Sequence, residues 1–341
     1  MKKIGIKDIA EHCGVSIATV SYVINGVDKV SEEKKKIVME AIRELDYNPN
    51  LNARALSKGE SRLIGILLPL VEEEDRIGTV IGNNPFYMEF IAGVELSLQD
   101  QGYDILISGA NNNLDLRRWL SGRALDGIIV FGSVPKEFLK TIVGQEIPCC
   151  LVDSEDAKGR LSVAIDDELG GYLATKHLLT LGHRRIGFAG ASLSKSNVNK
   201  KRWQGYRRAL NEWGLDVESR FVFEDDVSYE SGERIAGRIL SEKADITGLV
   251  CTSDIIAIGV IKEYSNRRIA IPEHLSVVGF DDIKISSYIT PGLTTIRQDV
   301  ALKARLAAEY LIQSIAHHGE TERQTVLVPS LVIRNSTRKI D

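Results

Sequence analysis

The sequence predicts a small all-α helix-turn-helix headpiece in front of an α/β body of two doubly wound parallel-sheet lobes. Up to about residue 49, apolar residues recur with helical spacing, as in Ile6, Ile9 and Ala10. From Leu63 onward, short runs rich in Ile, Val and Leu alternate with amphipathic stretches, which is typical of repeated β-α units. A chain of 341 residues is long enough for two or three folding units.

The headpiece prediction depends on three helices that have recognisable ends. Gly14 is placed to end the first helix, Ser16 to cap the second, and Ser31 to cap the third. The first two helices meet through the short segment HCGVS, which contains a glycine, as a helix-turn-helix requires.

The second predicted helix has one buried and one exposed face. Val20 turns inward together with Val23 or Ile24. The positions that can share the exposed face are Ile17, Ala18, Ser21, Tyr22 and Asn25. Such a face can meet base edges in a DNA major groove, and Thr19 and Ser21 can bond phosphate or base. The alternative is an ordinary helical hairpin without a DNA partner.

Parallel sheets are predicted for the body because its apolar runs are continuous rather than alternating. The predicted strands are residues 63–69, 103–109, 126–132, 185–190, 247–252 and 275–280. The predicted helices are residues 86–101, 169–181, 203–213, 254–264 and 300–317. Between headpiece and body, residues 48–61 are polar and contain Pro49 and Gly59, so composition alone favours a solvated linker.

Composition and charge restrict the possible functions. The net charge of −4 argues against a globally basic nucleic-acid binder, so any DNA-binding surface must be local. The four cysteines form no C-x-x-C pair and no cluster at zinc spacing, so neither metal nor cofactor is expected. The most apolar run, residues 63–71, is far shorter than the ~20 residues of a membrane span. With no signal-peptide pattern, a soluble cytoplasmic protein is expected.

Long motifs in both parts of the chain point to one family. The motifs, in order, are IKDIAEHCGVSIATVSYVING, VSEEKKKIVMEAIRELDYNPNLNARAL, IGILLP, NPFY, LDGIIVFG, VAIDDELGGYLATKHLLTLGHRRIGFAG, KRWQGYRRALNEWGL, VVGFDD and PGLTTIRQD. In content and order they resemble the LacI/GalR family of bacterial transcription regulators over almost the whole chain. The body is also similar to periplasmic sugar-binding proteins of the ribose-binding type, the type I periplasmic-binding-protein-like fold.

The resemblance implies a ligand-responsive, sequence-specific DNA-binding regulator. It implies a homodimeric repressor of sugar-utilisation genes that binds a palindromic operator, with a sugar, sugar phosphate or nucleobase as effector in the cleft between the lobes. The implied domains are a headpiece (1–49), a hinge helix or linker (50–61) and a body (62–341). Within the body, the first lobe is expected at about 62–162 and 293–325, and the second lobe at about 163–292 and 326–341.

The resemblance also assigns operator contacts to individual residues. The base-reading positions are Ile17, Ala18 and Tyr22, and the DNA-backbone positions are Thr19, Ser21 and Asn25. The hinge positions are Asn50, Ala53, Arg54 and Leu56. In the family, Leu56 corresponds to the leucine wedged into a minor-groove base step, and Arg54 could neutralise a phosphate. Many relatives have Arg or His in place of Tyr22, so no guanine contact carries over there.

For the effector, the resemblance implies that Arg202 and Asp281 face each other across the cleft. An Arg fork and a carboxylate suit a polyhydroxylated ligand. The other implied effector positions are Phe86, Tyr87, Asp153 and Ser253. Tyr87 is placed to stack on the effector, with Phe86 as the alternative ring, and Ser253 replaces an Asn that is usual in the family. Taken singly, Asp281 could merely cap a helix, Arg202 could form a surface ion pair, and both rings could be core.

Two other classes of function are weighed against the regulator. A transport-type sugar-binding protein would need neither the headpiece nor its motifs. An enzyme would need a nucleophile–base–acid set, a G-x-G-x-x-G after the first strand or metal-ligand spacing, and the sequence contains none of these. The chain is therefore expected not to be an enzyme.

Overall fold

The computed structural model describes residues 4–24, 27–47, 61–70, 77–132, 134–154, 158–194, 196–317 and 322–340. The chain divides into two units, residues 1–62 and residues 63–341. The first unit contains the described headpiece, and the second contains two sheets, each with its own helices.

The headpiece has three short helices around a very small core. They are α1 (Ile6–Cys13), α2 (Ile17–Ile24) and α3 (Glu32–Glu44). The buried side chains at their centre are Ile9, Ala10, Val20, Val38 and Ala41. Val20, on the predicted inner face of α2, is fully buried, so the predicted orientation of this helix is confirmed.

The ends of these helices lie at the three residues that the sequence indicated, two of them with the expected capping geometry. Gly14 ends α1 at a φ of 64°, a left-handed conformation that favours glycine. The Ser16 hydroxyl accepts a bond of 3.1 Å from the Thr19 N–H, which caps α2. Ser31 is the N-cap residue of α3, as predicted, but its hydroxyl makes no capping bond. At Gly5, which has no side chain to cap α1, the backbone N–H donates to Asp8 Oδ2 at 2.7 Å.

The first lobe is built on a six-stranded parallel sheet with strand order β11-β5-β4-β3-β1-β2. Its strands are β1 (Leu63–Pro69), β2 (Asp104–Ala110), β3 (Gly127–Phe131), β4 (Cys149–Val152), β5 (Leu161–Ile165) and β11 (Gln324–Leu327). Its helices are α4 (Ile77–Asn83), α5 (Pro85–Gln99), α6 (Asn113–Ser121), α7 (Lys136–Val143) and α12 (Val300–Ala316).

The second lobe is built on a six-stranded sheet with strand order β12-β10-β9-β8-β6-β7. Its strands are β6 (Ile186–Gly190), β7 (Val222–Glu224), β8 (Gly248–Cys251), β9 (Ser276–Asp281), β10 (Thr294–Arg297) and β12 (Ser330–Val332). Its helices are α8 (Asp167–Thr180), α9 (Asn197–Glu212), α10 (Tyr229–Ser241) and α11 (Asp254–Asn266). All pairs are parallel except β10 with β12. The predicted doubly wound parallel-sheet fold is confirmed.

The chain crosses between the lobes three times, and all three predicted crossing points need correction. Strand β5 belongs to the first sheet, so the boundary at 162/163 would cut a hydrogen-bonded strand. Strand β10 belongs to the second sheet, although the range 293–325 assigned it to the first lobe. Strand β11 pairs with β5, so the boundary at 325/326 would cut another strand. The crossings therefore follow Ile165, Arg297 and Leu327.

Helices α8 and α9 pack against each other at two glycines. A Cβ atom on Gly171 would collide with the carbonyl oxygen of Arg202, and one on Gly205 would collide with the carbonyl oxygen of Glu168. The absence of side chains lets the helix backbones approach closely, which places Arg202 of α9 beside Asp167 at the start of α8. None of the described helices combines the length and the hydropathy that crossing a membrane requires.

Candidate functional site

A cavity of about 660 Å³ lies between the carboxyl-terminal edges of the two sheets. The strands of both lobes contribute to it with the residues at or just beyond their ends, as expected for α/β sheets, whose ligands bind at this edge. This cavity is called the interlobe cleft below. Its lining includes all six predicted effector residues, namely Phe86, Tyr87, Asp153, Arg202, Ser253 and Asp281.

Arg202 is buried in the cleft wall and makes four close contacts. Its Nε donates to Asp167 Oδ1 at 2.8 Å, and its Nη1 donates to the carbonyl of Thr252. The guanidinium carbon lies 3.6 Å from the centroid of the Phe280 ring, and Nη1 lies 3.9 Å from Asp281 Oδ1. The alternative of a surface ion pair is therefore wrong, because Arg202 is only 7% exposed.

The expectation that Arg202 and Asp281 face each other across the cleft is also wrong. Helix α9 and strand β9 both belong to the second lobe, so the two side chains lie next to each other on one wall. Asp281 does not cap a helix either, since its Oδ1 accepts a bond of 2.6 Å from the Gln298 amide. The arrangement is a fork and a carboxylate side by side, which can bind neighbouring hydroxyl groups of one ligand.

Lys303 makes a polar connection between the lobes at the cleft, and it is not among the residues predicted from the sequence. Its ammonium donates to Asp153 Oδ2 at 2.7 Å and Oδ1 at 2.9 Å, and to Gln298 Oε1 at 2.7 Å. A continuous chain of polar contacts thus runs through the cleft floor. This buried polar chain consists of Asp167, Arg202, Asp281, Gln298, Lys303 and Asp153. The available signal was a lysine on the apolar face of α12, three residues after Val300.

Burial changes the acidity of two carboxyl groups of the buried polar chain, those of Asp281 and Asp167. It raises the pKa of Asp281 to about 7, although Arg202, the bond from Gln298 and the charge of Lys303 all act to lower it. It also raises the pKa of Asp167, and here the neighbouring Arg202 opposes the effect. The cleft therefore contains a carboxyl group that changes charge near neutral pH.

Unusual backbone conformations occur at the same strand ends. Asp153 has a φ of 51°, Asp281 of 121° and Asp282 of 58°, all in regions that residues other than glycine rarely adopt. Such conformations are retained where the surrounding structure holds them, often at functional sites. Asp282 is held by ion pairs of 2.7 Å to Arg297 and 2.6 Å to Arg334.

The two aromatic candidates differ in their surroundings. Phe86 is 6% exposed and packs into the first-lobe core, with its ring centroid 5.8 Å from that of Phe131. Tyr87 is half-buried, with its ring centroid 5.4 Å from that of Phe131. Both rings line the cleft. The alternative that these rings belong to the core holds in part for Phe86, and Tyr87 is the ring more accessible to a ligand.

Ser253 was a predicted lining residue of the cleft, whereas Thr252, Asp225 and Asp226 were not found from the sequence. Ser253, a predicted candidate, caps α11 by accepting from the Ile256 N–H. Its neighbour Thr252 is 2% exposed, and within the described parts of the chain its hydroxyl has no hydrogen-bond partner. At the cleft mouth, Arg234 bonds both Asp225 and Asp226 and holds the pKa of Asp225 below its usual range. These lining residues follow different strands and come together only because of the order of the strands in the sheet. No short sequence motif therefore marks them.

The headpiece exposes the face that was predicted to read DNA. Ile17 is 44% and Tyr22 39% exposed, Ala18 is exposed, and Thr19 and Ser21 are half-buried. Two apolar side chains of this size on an eight-residue helix are available to contact a partner. The remaining predicted DNA contacts lie outside the described residues, namely Asn25, Asn50, Ala53, Arg54 and Leu56.

Comparisons with known proteins match both units. Residues 5–50 match the family model for bacterial regulatory proteins of the lacI family, and residues 175–337 match a periplasmic binding protein-like domain. An HTH-type transcriptional repressor PurR of Mannheimia succiniciproducens is 32% identical, over 98% of this chain and 99% of its own length. A ribose operon repressor of Haemophilus influenzae is 34% identical, over 97% and 98%. A Lac repressor dimer bound to operator and the anti-inducer ONPF is similar in structure, with a TM-score of 0.84, 25% identity and coverage of 99% and 100%.

Proposed function

This chain belongs to the LacI family of bacterial regulatory proteins, and from that premise we propose that an uncharged sugar bound beside Arg202 and Asp281 sets its affinity for operator DNA. The chain is a DNA-binding transcription repressor that responds to a small effector as a dimer, and it is not an enzyme. The alternative of a transport-type binding protein is therefore rejected. We propose that, as a regulator of bacterial operators, it acts in the cytoplasm.

The observation that carries the proposed effector site is the pair of Arg202 and Asp281 on one wall of the cleft. A guanidinium donates and a carboxylate accepts, so together they match the hydroxyl groups of a sugar. Asp153 and Tyr87 of the first lobe would contact the same ligand from the other wall. The carboxylates of Glu224, Asp225 and Asp226 also line the cleft, and they disfavour a phosphorylated effector by charge repulsion.

The mechanism we propose follows from a ligand held by both lobes. Effector binding favours one angle between the lobes over others, and the affinity for operator changes with the population of that angle. Two headpieces of a dimer would read the two halves of a palindromic operator. Base edges would be contacted by Ile17, Ala18 and Tyr22, and the DNA backbone by Thr19, Ser21 and Asn25.

The effector class is tested by thermal unfolding of the full chain with matched compounds. D-ribose, cellobiose and hypoxanthine are compared with D-ribose 5-phosphate, and an effector raises the unfolding midpoint in proportion to its occupancy. We expect an uncharged sugar to stabilise the protein and to change its affinity for operator DNA selected from a random pool. Stabilisation by the phosphorylated sugar alone would contradict the proposed class.

We expect Leu56→Ala to weaken operator binding by about 10-fold or more, because an apolar wedge that bends the duplex brings more protein surface onto the DNA. Affinity is measured by fluorescence anisotropy over a series of salt concentrations, since phosphate contacts depend on salt and the wedge does not. Leu114→Ala, at an exposed leucine of the body, is the matched control. Equal affinity of the Leu56 variant and wild type at every salt concentration would rule out the wedge.

A further inference from the structure

Lys303 is a fully buried lysine on a helix whose neighbouring side chains are apolar. Its exposed fraction is 0%, and it lies on α12 between Val300 and Ala304, which pack into the first-lobe core. An ammonium group has three N–H donors, and Lys303 has three acceptor atoms within 2.9 Å, two on Asp153 and one on Gln298. The positive charge is therefore held at one defined point behind the cleft.

Gln298 transmits the position of Lys303 to the second lobe. Because an ammonium only donates, the amide oxygen of Gln298 must face Lys303, and this leaves the amide nitrogen to donate to Asp281 Oδ1 at 2.6 Å. Asp153 follows β4 of the first lobe, and Asp281 ends β9 of the second. The two carboxylates on opposite walls are thus connected through two side chains, which lie at and just beyond the second crossing of the chain.

We propose that Lys303 is a positioning residue of the effector site, whose ammonium holds Asp153 directly and Asp281 through Gln298 in their orientation toward the cleft without touching the effector. This inference rests on the proposed function, since it takes the interlobe cleft as the effector site. Lys303 lies behind the residues that line the cavity, so it acts through its two partners.

The balance of charges around Asp281 shows why a countercharge is needed there. The cations that face it are Arg202 and Lys303, and the other carboxyl groups that act on it or respond to it are Asp167 and Asp254. Burial raises the pKa of Asp281 to about 7, and the charge of Lys303 opposes this increase. Removing Lys303 raises the pKa further, so at pH 7 the carboxyl would be mostly protonated and a poorer acceptor for sugar hydroxyls.

The first test follows Asp281 directly and needs no ligand. Full-length protein labelled with ¹³C at the aspartate carboxyl is titrated by NMR, and the Asp281 signal is assigned from its loss in Asp281→Asn. We expect Lys303→Met, which keeps length and removes charge, to raise the Asp281 midpoint by about half a pH unit or more. Lys262→Met, at an exposed lysine paired with Glu233 at 2.7 Å, should not change it. An unchanged midpoint in Lys303→Met overturns the proposal.

A second variant covers the possibility that Lys303→Met does not fold because Asp153 is left unpaired. The double variant Asp153→Asn/Lys303→Met removes both charges of the pair and leaves Asp281 without the ammonium, so an upward shift is still expected, smaller than in Lys303→Met because the opposing charge of Asp153 is removed as well. Lys303→Arg retains the charge and should keep the Asp281 midpoint close to that of wild type. A double variant with a wild-type midpoint would also overturn the proposal.

The effector is probed with D-ribose by isothermal titration calorimetry between pH 6 and pH 9. For Lys303→Met we expect about 2-fold or more weaker binding than wild type at pH 7, in proportion to the fall in the ionised fraction of Asp281, and recovery of the affinity at pH 9, where Asp281 is ionised again. A loss that is equal at every pH indicates a purely structural lysine and counts against the proposal. If wild type does not bind D-ribose, the proposed effector class is at fault, while the Asp281 titration still decides the role of Lys303.

Discussion

Asp281→Asn is expected to weaken the effector response strongly while leaving the affinity of the effector-free protein for operator DNA unchanged. Asparagine keeps the size of the side chain and an oxygen that can accept from Gln298. It replaces the second carboxylate oxygen by a donor, so hydroxyl groups of a sugar lose a charged acceptor. Hydrogen bonds to charged groups contribute about 1.5–3 kcal/mol, so effector affinity should fall about 10- to 100-fold.

The measurement combines calorimetry with anisotropy of operator DNA, with and without the sugar that stabilises wild type. Asp216→Asn, at an exposed aspartate of the second lobe, is the matched control. Wild-type effector affinity in Asp281→Asn would exclude this carboxylate from the site. Loss of operator affinity without effector would show that Asp281 acts on the DNA-binding state instead.

The same substitution has a defined effect on stability. The Asp281 carboxyl has a pKa of about 7 in the folded protein and an ordinary value of about 3.9 in the unfolded chain. Between these values the folded state binds more protons, so this group lowers the free energy of unfolding as pH rises from about 4 to about 7. Asparagine does not titrate, so Asp281→Asn should be at least as stable as wild type at pH 8. A larger loss of stability at pH 8 than at pH 5, measured by thermal unfolding, would contradict this assignment.

Arg202→Met is expected to remove effector binding and also to destabilise the second lobe by about 3–5 kcal/mol, the usual effect of breaking a buried ion pair from one side. Asp167 would stay buried without the cation that opposes the burial-induced rise of its pKa. The Thr252 carbonyl would lose its donor, and the Phe280 ring its stacked guanidinium.

Urea unfolding at pH 7 measures this loss. Arg207→Met is the matched control, because Arg207 is exposed on the same helix, where a substitution typically changes stability by less than about 1 kcal/mol. The double variant Asp167→Asn/Arg202→Met should recover part of the stability, since it removes the unpaired charge. Equal unfolding of Arg202→Met and Arg207→Met would mean that the buried pair contributes no stability.

The sequence predicted those elements whose pattern is strong and local. Strand β1 has the predicted bounds, 63–69, because a continuous apolar run before Pro69 defines it. Strands β10 (TTIR) and β11 (QTVL) were missed, since each has four residues with few apolar side chains. The omission of these two strands produced two of the wrong lobe boundaries, and the omission of β5 produced the third.

The members of the candidate site were easier to predict than their arrangement. Motif correspondence placed Arg202 and Asp281 in one cavity, but their position on the same wall follows from the contact of α9 with α8 and from sheet order. Lys303 interrupts an apolar helix face. Such a lysine indicates either that this turn of the helix is exposed to solvent or that the lysine is buried with a charged partner. Only the position of Asp153 in three dimensions distinguishes the two, so the sequence alone could not. The hinge contacts, including Leu56, stay predictions.

The glycine contacts between α8 and α9 also restrict how the lobes can move. Gly171 and Gly205 leave no space for these helices to slide, so Asp167, Arg202 and the backbone around them must travel as one rigid body. A change in the angle between the lobes then has to be absorbed as rotation about the three short connections after Ile165, Arg297 and Leu327. Gln298 lies in the second connection and donates to Asp281 Oδ1 at 2.6 Å, so a ligand that displaces Asp281 acts on one of the segments about which the lobes would turn.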